Sequence, residues 1–398
     1  MKNSLAAWRS ELHAELTENI LPFWLSLCPA DGPLTGRVDG EGRAHAGAGL
    51  SAVLLARMLW FFSAAYRAVG DRRALDAARR VRLFVSANLI DRRYGGVFWE
   101  LSHNGLPLNY KKQSYAAGFA IYGLCEYALA AGDRFAADEA EALFESLEEH
   151  ACDTAHDGYV EAFARDWQPL DDMRLSDRDS NTTFSMNTHL HLLEAYAALS
   201  KVSPSQRVAD ALGRLIRIHV DRIFDPATGH LNLFFDRSWR AEGRTVSYGH
   251  DIEASWLLDE AAAAARVSSP KVAAVVDSLA VAAVEGLQPD GSMIYEYDRA
   301  TGRTDADRHW WVQAESVVGL FNMYQRTGDE RFLCRSRDAW RYISRRLGDR
   351  RHGEWLWSIR ADGSENRTDD KAGFWKCPYH NGRMCMEIMA RIDRMTDD

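Results

Sequence analysis

The chain has 398 residues, of which 46% are hydrophobic, and its 48 basic and 57 acidic residues give a formal charge of −9. This composition is typical of a globular protein and excludes an intrinsically disordered chain. The excess of acid argues against nucleic acid or an anionic membrane surface as the partner.

The chain shows no uninterrupted apolar run of the roughly 18 residues that a membrane span needs, so none is expected. The N-terminal segment carries Arg9, Glu11 and Glu15 among its apolar positions, which predicts an amphipathic helix and not a signal peptide. Six cysteines are scattered without the spacing of a disulfide framework. Reduced thiols and a cytoplasmic location are therefore expected.

A glycine-centred turn recurs along the chain at nearly constant spacing. The glycines lie 60, 62, 71, 62 and 62 residues apart, at Gly36, Gly96, Gly158, Gly229, Gly291 and Gly353. The chain therefore holds six copies, one of them with an insertion. Alternating apolar and polar residues follow these turns, and a second turn signal such as Asn104-Gly105 comes soon after. This pattern predicts short β-hairpins in the long loops.

Between these loops, helical periodicity and an Ala- and Leu-rich composition predict twelve helices. Their expected ranges are 3–27, 48–69, 72–89, 113–131, 134–151, 183–200, 204–221, 249–266, 270–286, 309–327, 330–347 and 379–394. Long connections alternate with short ones such as Gly70-Asp71 and Ser203-Pro204. Six helical hairpins are therefore expected, with the long loops on one common face.

The helices that follow the long loops are apolar all round, as over 50–62, 115–128 and 256–265, which is typical of helices buried on every side. We therefore predict an all-α fold, a closed (α/α)6 barrel in which these helices form the inner ring. It is expected to be one catalytic domain over 1–398, with short β-hairpins in the long loops on one face. An open solenoid of stacked helical hairpins is the alternative.

Polar and aromatic residues of unusual type mark the N-terminal ends of the expected inner helices. Taken one per helix, they follow the period of the loops, at Arg57, Tyr115, Asn187, His250, Trp311 and His380. A random scatter would not keep this phase, so the six are predicted to meet at the mouth of the ring. Aromatic faces beside polar groups suit a sugar ring. The Trp residues expected to wall such a cleft are Trp99, Trp256, Trp310, Trp311, Trp355, Trp357 and Trp375.

His250 and Glu253 are separated by three residues on one expected helix. The carboxylate is expected to fix the tautomer of the imidazole and to raise its basicity. The alternative is a helix-capping histidine with a solvated glutamate. Trp311 and Glu315 share a face in the same way, and there the alternative is a core Trp with a surface Glu.

Asn187 and His191 also share a helix face, whereas His189 does not share one with His191, so a metal site formed by the two histidines is not expected. Arg57 lies in a strongly apolar stretch, where a cation is costly unless it is paired or faces a polar cavity. Arg57 is therefore a candidate for holding substrate oxygens or a developing oxyanion.

His380 follows Pro378, a helix-start signal, and is a candidate for a second acid/base residue. The alternative is a buried histidine bonded to a carbonyl. Cys377 and His380 have no second pair at zinc spacing, so no metal is predicted. Phosphate-loop, dinucleotide-binding, nucleophile-elbow and HExxH motifs are absent from the sequence.

Five segments of the chain resemble the N-acylglucosamine 2-epimerase superfamily, most closely its cellobiose 2-epimerase branch. They lie at 57–60, 187–196, 249–258, 309–315 and 370–381. The resemblance implies an (α/α)6 barrel, no metal or redox cofactor, and His250 and His380 as a catalytic pair. It implies supporting roles for Arg57, Tyr115, Asn187, His191, Glu253, Trp256, Trp311, Glu315 and Trp375.

Three positions depart from the family pattern. Ala117 stands where relatives often carry Gln, Leu55 stands where the cellobiose branch often has Asn, and the loop at 32–36 lacks the usual aromatic character. All three lie near the expected site, so they leave the identity of the sugar open.

The activity implied is inversion of C2 in the reducing-end aldose of a β-1,4 disaccharide such as cellobiose, lactose or mannobiose. One histidine would remove the C2 proton and the other would return it through a cis-enediolate, and both need a pKa near neutrality. Arg57 would hold the oxyanion, while Glu253 and Glu315 would orient the histidines. Alternatives are a mannose or glucose 2-epimerase, a mannose–fructose isomerase, an inverting glycosidase and a sugar-binding protein. A monomer or homodimer is expected.

Overall fold

Helices dominate the computed structural model, which describes residues 2–397. The helices are α1 (Lys2–Ala14), α2 (Leu21–Ser26), α3 (Ala52–Val69), α4 (Arg72–Phe84), α5 (Ser114–Ala131), α6 (Arg134–His150), α7 (Met186–Val202), α8 (Gln206–Ile218), α9 (Tyr248–Ala264), α10 (Pro270–Ala283), α11 (Trp310–Thr327), α12 (Glu330–Tyr342) and α13 (Tyr379–Asp397). A π-helical stretch joins α1 to α2, and π-helical or 3-10 turns extend α4, α8, α10 and α12 to residues 89, 223, 286 and 347. The twelve predicted helices are thereby confirmed.

Six helices form a closed inner ring. Helices α3, α5, α7, α9 and α11 each pack against the next inner helix in chain order, and α13 packs back against α3. The outer layer consists of α4, α6, α8, α10 and α12, each packed on the inner helix before it, and of α1, which packs on α13. This closure confirms the predicted (α/α)6 barrel and excludes the open solenoid.

The two rings differ in how their apolar residues are distributed. Inner helix α3 is buried without interruption from Ala52 to Ala65, whereas outer helix α8 buries a stripe that includes Val208, Leu212 and Leu215. An all-round apolar helix must be enclosed, and a striped one covers it while exposing its polar face. The barrel core lies between the rings.

Helix α3 is the most apolar of the long helices among the described residues, by the requirements of a membrane span. Its 18 residues have a mean hydropathy of 1.4, which by length and composition is enough for a membrane span. However, 78% of that window is buried inside the protein. The apolar character of α3 is therefore explained by its place in the inner ring.

The short connections on one face follow a repeated glycine–aspartate rule. Gly70 and Gly328 adopt the left-handed conformation, with φ of 72° and 71°, and end α3 and α11. The next residues, Asp71 and Asp329, accept hydrogen bonds from backbone N–H groups at the start of α4 and α12. The pair at 132–133 does the same between α5 and α6.

The long connections on the opposite face carry the strands. These are β1 (Leu50–Ser51), β2 (Glu100–Leu101), β3 (Pro107–Asn109), β4 (Lys112–Gln113), β5 (Cys152–Asp153), β6 (Gly158–Tyr159), β7 (Ala162–Phe163), β8 (Phe184–Ser185), β9 (Phe234–Phe235), β10 (Ala241–Glu242), β11 (Thr245–Ser247), β12 (Glu296–Asp298), β13 (Arg303–Asp305), β14 (Arg308–His309) and β15 (Ser358–Ile359). Hairpins β2–β3, β5–β6, β9–β10 and β12–β13 agree with the predicted hairpins.

Strand pairing also links each loop to the next. A strand that precedes an inner helix pairs antiparallel with a strand of the following loop, as in β1–β2, β4–β7, β8–β9, β11–β12 and β14–β15. A bridge between Val38 and Ala372 joins the last loop to the first. The loops therefore form a continuous rim around the N-terminal ends of the inner helices.

Candidate active site

A cavity of about 1020 Å³ opens inside this rim. Nine of the eleven residues predicted from the sequence line it: Arg57, Tyr115, Asn187, His191, His250, Glu253, Trp311, Trp375 and His380. The other two, Trp256 and Glu315, lie behind the cavity wall. Residues spread over six inner helices and their loops are thus brought to one place by the sixfold repeat.

His250 lies in the first turn of α9. Its Nδ1 is 2.8 Å from the hydroxyl oxygen of Ser247, the last residue of β11. Its ring centroid lies 4.7 Å from that of Trp311. Burial lowers the pKa of His250 to about 3, so the imidazole is neutral at neutral pH. When Nδ1–H donates to Ser247, Nε2 carries the free lone pair.

The predicted pairing of Glu253 with His250 is wrong. Glu253 Oε1 instead accepts a hydrogen bond from Arg383 Nη2 at 2.8 Å. The guanidinium charge draws the carboxylate away, and Ser247 already occupies Nδ1 of His250. The same three-residue spacing does form a pair elsewhere, because His191 Nδ1 lies 3.1 Å from Glu194 Oε2.

His380, on α13, makes the carboxylate contact that His250 lacks. Its Nδ1 is 2.7 Å from Oε1 of Glu315, which is fully buried. The alternative of a carbonyl-bonded His380 is therefore wrong, and so is that of a surface Glu315. Burial and the positive charges of Arg57 and Arg383 lower the pKa of His380 well below its usual value. Both imidazoles of the candidate pair are therefore neutral at neutral pH. The mechanism drawn from the sequence instead required a pKa near neutrality for each.

Trp256 was expected in the cleft wall and is not there. Its Nε1 donates to Glu315 Oε2 at 2.9 Å, and its ring lies 4.6 Å from the guanidinium of Arg383. The indole therefore supports the carboxylate that contacts His380. Trp99 and Trp355 are also absent from the wall, whereas Trp310, Trp311, Trp357 and Trp375 line it.

Arg383 is the centre of a buried network that the sequence interpretation missed. Its Nη2 donates to Glu253 at 2.8 Å and to Glu315 at 2.7 Å, and its Nη1 donates to Glu194 and to the hydroxyl of Tyr379. One signal was present in the sequence, because Arg383 lies three residues after His380 on the same helix face.

Arg57 presents a positive charge without a counter-ion. Its Nη2 donates to the Tyr115 hydroxyl at 2.8 Å, and its Nη1 contacts Cys377 Sγ at 3.5 Å. Its guanidinium lies 4.0 Å from the ring centroid of Phe119. Within residues 2–397, Arg57 forms no ion pair with a carboxylate. A buried guanidinium at a cavity wall fits an oxyanion.

Other groups in the wall offer hydrogen bonds to a ligand. The Oδ1 of Asn187 is buried and has no hydrogen-bond partner among the described residues. Residues 173–180, in the longer loop between Gly158 and Gly229, also line the cavity, with charged side chains at Arg174, Asp177, Arg178 and Asp179. This is the longer copy that the 71-residue spacing revealed, for which the sequence suggested no role.

Two groups in the described chain have the spacing of metal ligands. In Glu253, Glu315 and His380 the ligand atoms all lie within 4.8 Å of one another. Arg383 Nη2 lies 2.8 and 2.7 Å from these two carboxylates, so a guanidinium already occupies the position of a cation. The other group is at the rim: Asp305, Asp307 and His309.

The family model for N-acylglucosamine 2-epimerase (GlcNAc 2-epimerase) matches residues 34–382. The chain belongs to this family. A cellobiose 2-epimerase of Bacteroides fragilis is 48% identical over 385 residues, which are 96% of this chain and 98% of that protein. A cellobiose 2-epimerase of Ruminococcus albus is 38% identical over 390 residues, with 96% and 98% of the two chains covered.

Solved structures agree with this family assignment. The cellobiose 2-epimerase of Bacillus thermoamylovorans has a TM-score of 0.94 at 35% identity and covers 97% of this chain and 100% of its own. A D-mannose isomerase, at a TM-score of 0.85 and 20% identity, covers 96% of this chain and 97% of its own and shares the fold. This member of the N-acylglucosamine 2-epimerase family is therefore a carbohydrate epimerase, as the resemblance implied.

Proposed function

We propose that this epimerase inverts C2 of the reducing-end aldose in β-1,4 disaccharides of the cellobiose, lactose and mannobiose type. The observation that carries the proposal is the pair of neutral imidazoles, His250 and His380, which both pack against Trp311. Their ring centroids lie 4.7 and 5.6 Å from that of the indole. In each, Nδ1 contacts a protein oxygen, which leaves Nε2 for the substrate.

Chemistry at C2 begins with the open-chain sugar, whose C1 carbonyl makes the C2 proton acidic. One neutral imidazole removes that proton and becomes an imidazolium, while the electron pair moves onto the carbonyl oxygen to give a cis-enediolate. Arg57 stabilises the oxyanion because its charge is otherwise unpaired. After rotation about C2–C3, the opposite histidine, which takes up a proton from solvent, delivers it to the other face of C2, and the first histidine releases the proton it removed to solvent. Which histidine acts as the base depends on the epimer.

Glu315 gives His380 a defined role in this scheme. A carboxylate at Nδ1 fixes the tautomer in which Nε2 is the base, and it stabilises the imidazolium that forms on proton removal. Ser247 fixes the tautomer of His250 without a charge. The two bases therefore differ in what holds Nδ1, which is a carboxylate at His380 and a hydroxyl at His250.

The dimensions of the cavity support a disaccharide. Its volume of about 1020 Å³ lies at the upper end of the range of about 300–1,000 Å³ for small-molecule sites. The histidines and Arg57 line its inner wall, and residues 173–180 and Trp375 add polar and aromatic surface for a second ring. Disaccharide epimerisation is also the activity named for the Bacteroides fragilis relative.

Product analysis tests the proposal. The purified protein is incubated with cellobiose, lactose, mannobiose and mannose, and the sugars are identified by NMR. We expect glucosyl-mannose from cellobiose and the corresponding C2 epimers from the other disaccharides. A ketose as the main product would show an isomerase, free glucose from cellobiose would show a glycosidase, and conversion of mannose alone would show a monosaccharide enzyme.

A further inference from the structure

Three buried carboxylates, of which Glu253 lines the cavity, share one guanidinium. Glu194, Glu253 and Glu315 are at most 5% exposed, and each accepts a hydrogen bond from Arg383. Arg57, the other buried cation nearby, contacts a phenol and a thiol. One guanidinium cannot balance three negative charges away from water, and uncompensated buried carboxylates retain protons. At least one of the three is therefore a neutral acid.

Hydrogen bonding disfavours Glu194 and Glu315 as the neutral acid, although burial raises the pKa of Glu315 as well. Both oxygens of Glu194 accept, one from Arg383 and the other at 3.1 Å from His191. Donors to the two oxygens of a carboxylate stabilise its ionised form. Although burial opposes it, the charge of Arg383 and the bond to His191 hold the pKa of Glu194 at about 2. Glu315 likewise accepts through both oxygens, from Arg383 and His380 on one and from an indole on the other.

Glu253 is different because only one of its oxygens is engaged. Its Oε1 accepts from Arg383, and its Oε2 is buried with no hydrogen-bond partner in the described chain. The charged groups that face it are Glu194 on α7, Glu315 on α11 and Arg383 on α13, with His380 Nδ1 3.8 Å from its Oε1. Burial and the charge of Glu315 raise the pKa of Glu253 well above its usual value. The proton therefore belongs on Oε2 of Glu253.

We infer that Glu253 works as a neutral carboxylic acid and that its Oε2–H donates a hydrogen bond to an oxygen of the reducing-end sugar. The identity of this ligand rests on the proposed function. Glu253 lines the cavity, so a bound sugar supplies the partner that Oε2 lacks. A neutral donor stabilises the negative charge of the enediolate, whereas a carboxylate in the same place would repel it.

The protonation state is tested by stability, without any substrate. A pKa raised in the folded state gives stability that is present at low pH and is lost as the pH rises toward the folded value. The folding constant of the Glu253→Gln variant, relative to wild type, should therefore increase by up to about tenfold per pH unit between about pH 5 and pH 8. Asp329→Asn, far from this cluster, is the control. Its ratio to wild type should stay flat there, because the bond to Arg331 lowers the pKa of Asp329 and the group is ionised in both states. A flat ratio for Glu253→Gln would overturn the inference.

The donor role is tested by activity. Glu253→Gln keeps a neutral donor of the same shape and should retain kcat within about tenfold of wild type, whereas Glu253→Ala should lose about 10²–10³-fold. Loss of kcat in the Gln variant as large as that in the Ala variant would overturn the donor role. If wild type itself does not epimerise at C2, the proposed function fails, and the stability comparison still decides whether Glu253 is neutral.

Discussion

Replacement of Arg383 by Met removes the charge that three carboxylates share while keeping the volume of the side chain. Arg383 is 1% exposed and donates to Glu194, Glu253 and Glu315. Removing one partner from a buried ion pair costs about 3–5 kcal/mol, because the remaining charge is left uncompensated. We therefore expect Arg383→Met to lower the free energy of unfolding by about 3–5 kcal/mol near pH 7.

The loss should shrink as the pH falls. In wild type the pKa of Glu194 is held at about 2, so this group contributes stability above its unfolded value of 4.5 that is lost as the pH drops toward 2. Without Arg383 that contribution is absent, and the carboxylates take up protons in the folded state. The difference between variant and wild type should therefore be smaller near about pH 4 than near about pH 7.

Urea unfolding followed by circular dichroism measures both effects, and Arg391→Met is the matched control. Arg391 is also buried, but it donates to the amide oxygens of Asn322 and Gln325 and to Glu260, whose side chain is 46% exposed. Its replacement strands no buried charge and should cost about 1–2 kcal/mol. The reasoning is refuted if the two variants lose the same free energy of unfolding and if that loss is the same at both pH values.

Three further predictions follow from single contacts. Glu315→Gln should lower kcat by about 10²-fold or more with little change in KM, because an amide can present its N–H and reverse the tautomer of His380; steady-state kinetics on cellobiose would show this, and an unchanged kcat would contradict it. Gly123→Ala should destabilise the fold by about 1–3 kcal/mol, since its Cβ would lie 2.6 Å from the backbone oxygen of Ala56 on α3. Gly213→Ala, whose Cβ meets nothing closer than 3.6 Å, should instead stabilise the fold by about 0.5–1 kcal/mol. Thermal unfolding compares the two variants, and equal shifts in melting temperature would refute the predicted clash at Gly123. Burial lowers the pKa of His219 to about 4, so this group alone should contribute a loss of up to about 1.4 kcal/mol per pH unit on acidification below about pH 6.5, and His219→Gln should reduce the wild-type slope by that amount in urea titrations.

The fold and the gathering of the site were predictable because both depend on the repeat. A constant interval between glycine turns requires equivalent loops, and equivalent loops place the N-terminal ends of α3 and its five counterparts at one rim. Arg57 and His380 are 323 positions apart, yet their common phase in the repeat was enough to predict that they line one cavity.

The partners within the site were not predictable because they depend on contacts between helices. A spacing of three residues says that two side chains can meet, and it is satisfied by both His191–Glu194 and His250–Glu253. Only the first pair forms, since Arg383 competes for Glu253. That competition joins residues 130 positions apart, on α9 and α13, and no local pattern encodes it. Trp256 was misplaced for the same reason, because its hydrogen bond to Glu315 crosses from α9 to α11.

The central claim is that two histidines act on opposite faces of C2, and isotope exchange in deuterated water tests it most directly. Wild type should introduce deuterium at C2 of both cellobiose and glucosyl-mannose. His250→Ala and His380→Ala each keep one base, so each should exchange the C2 proton of one epimer, a different one in each variant, without interconverting the two. Exchange of both epimers by a single variant, or inversion by wild type without deuterium at C2, would contradict the account.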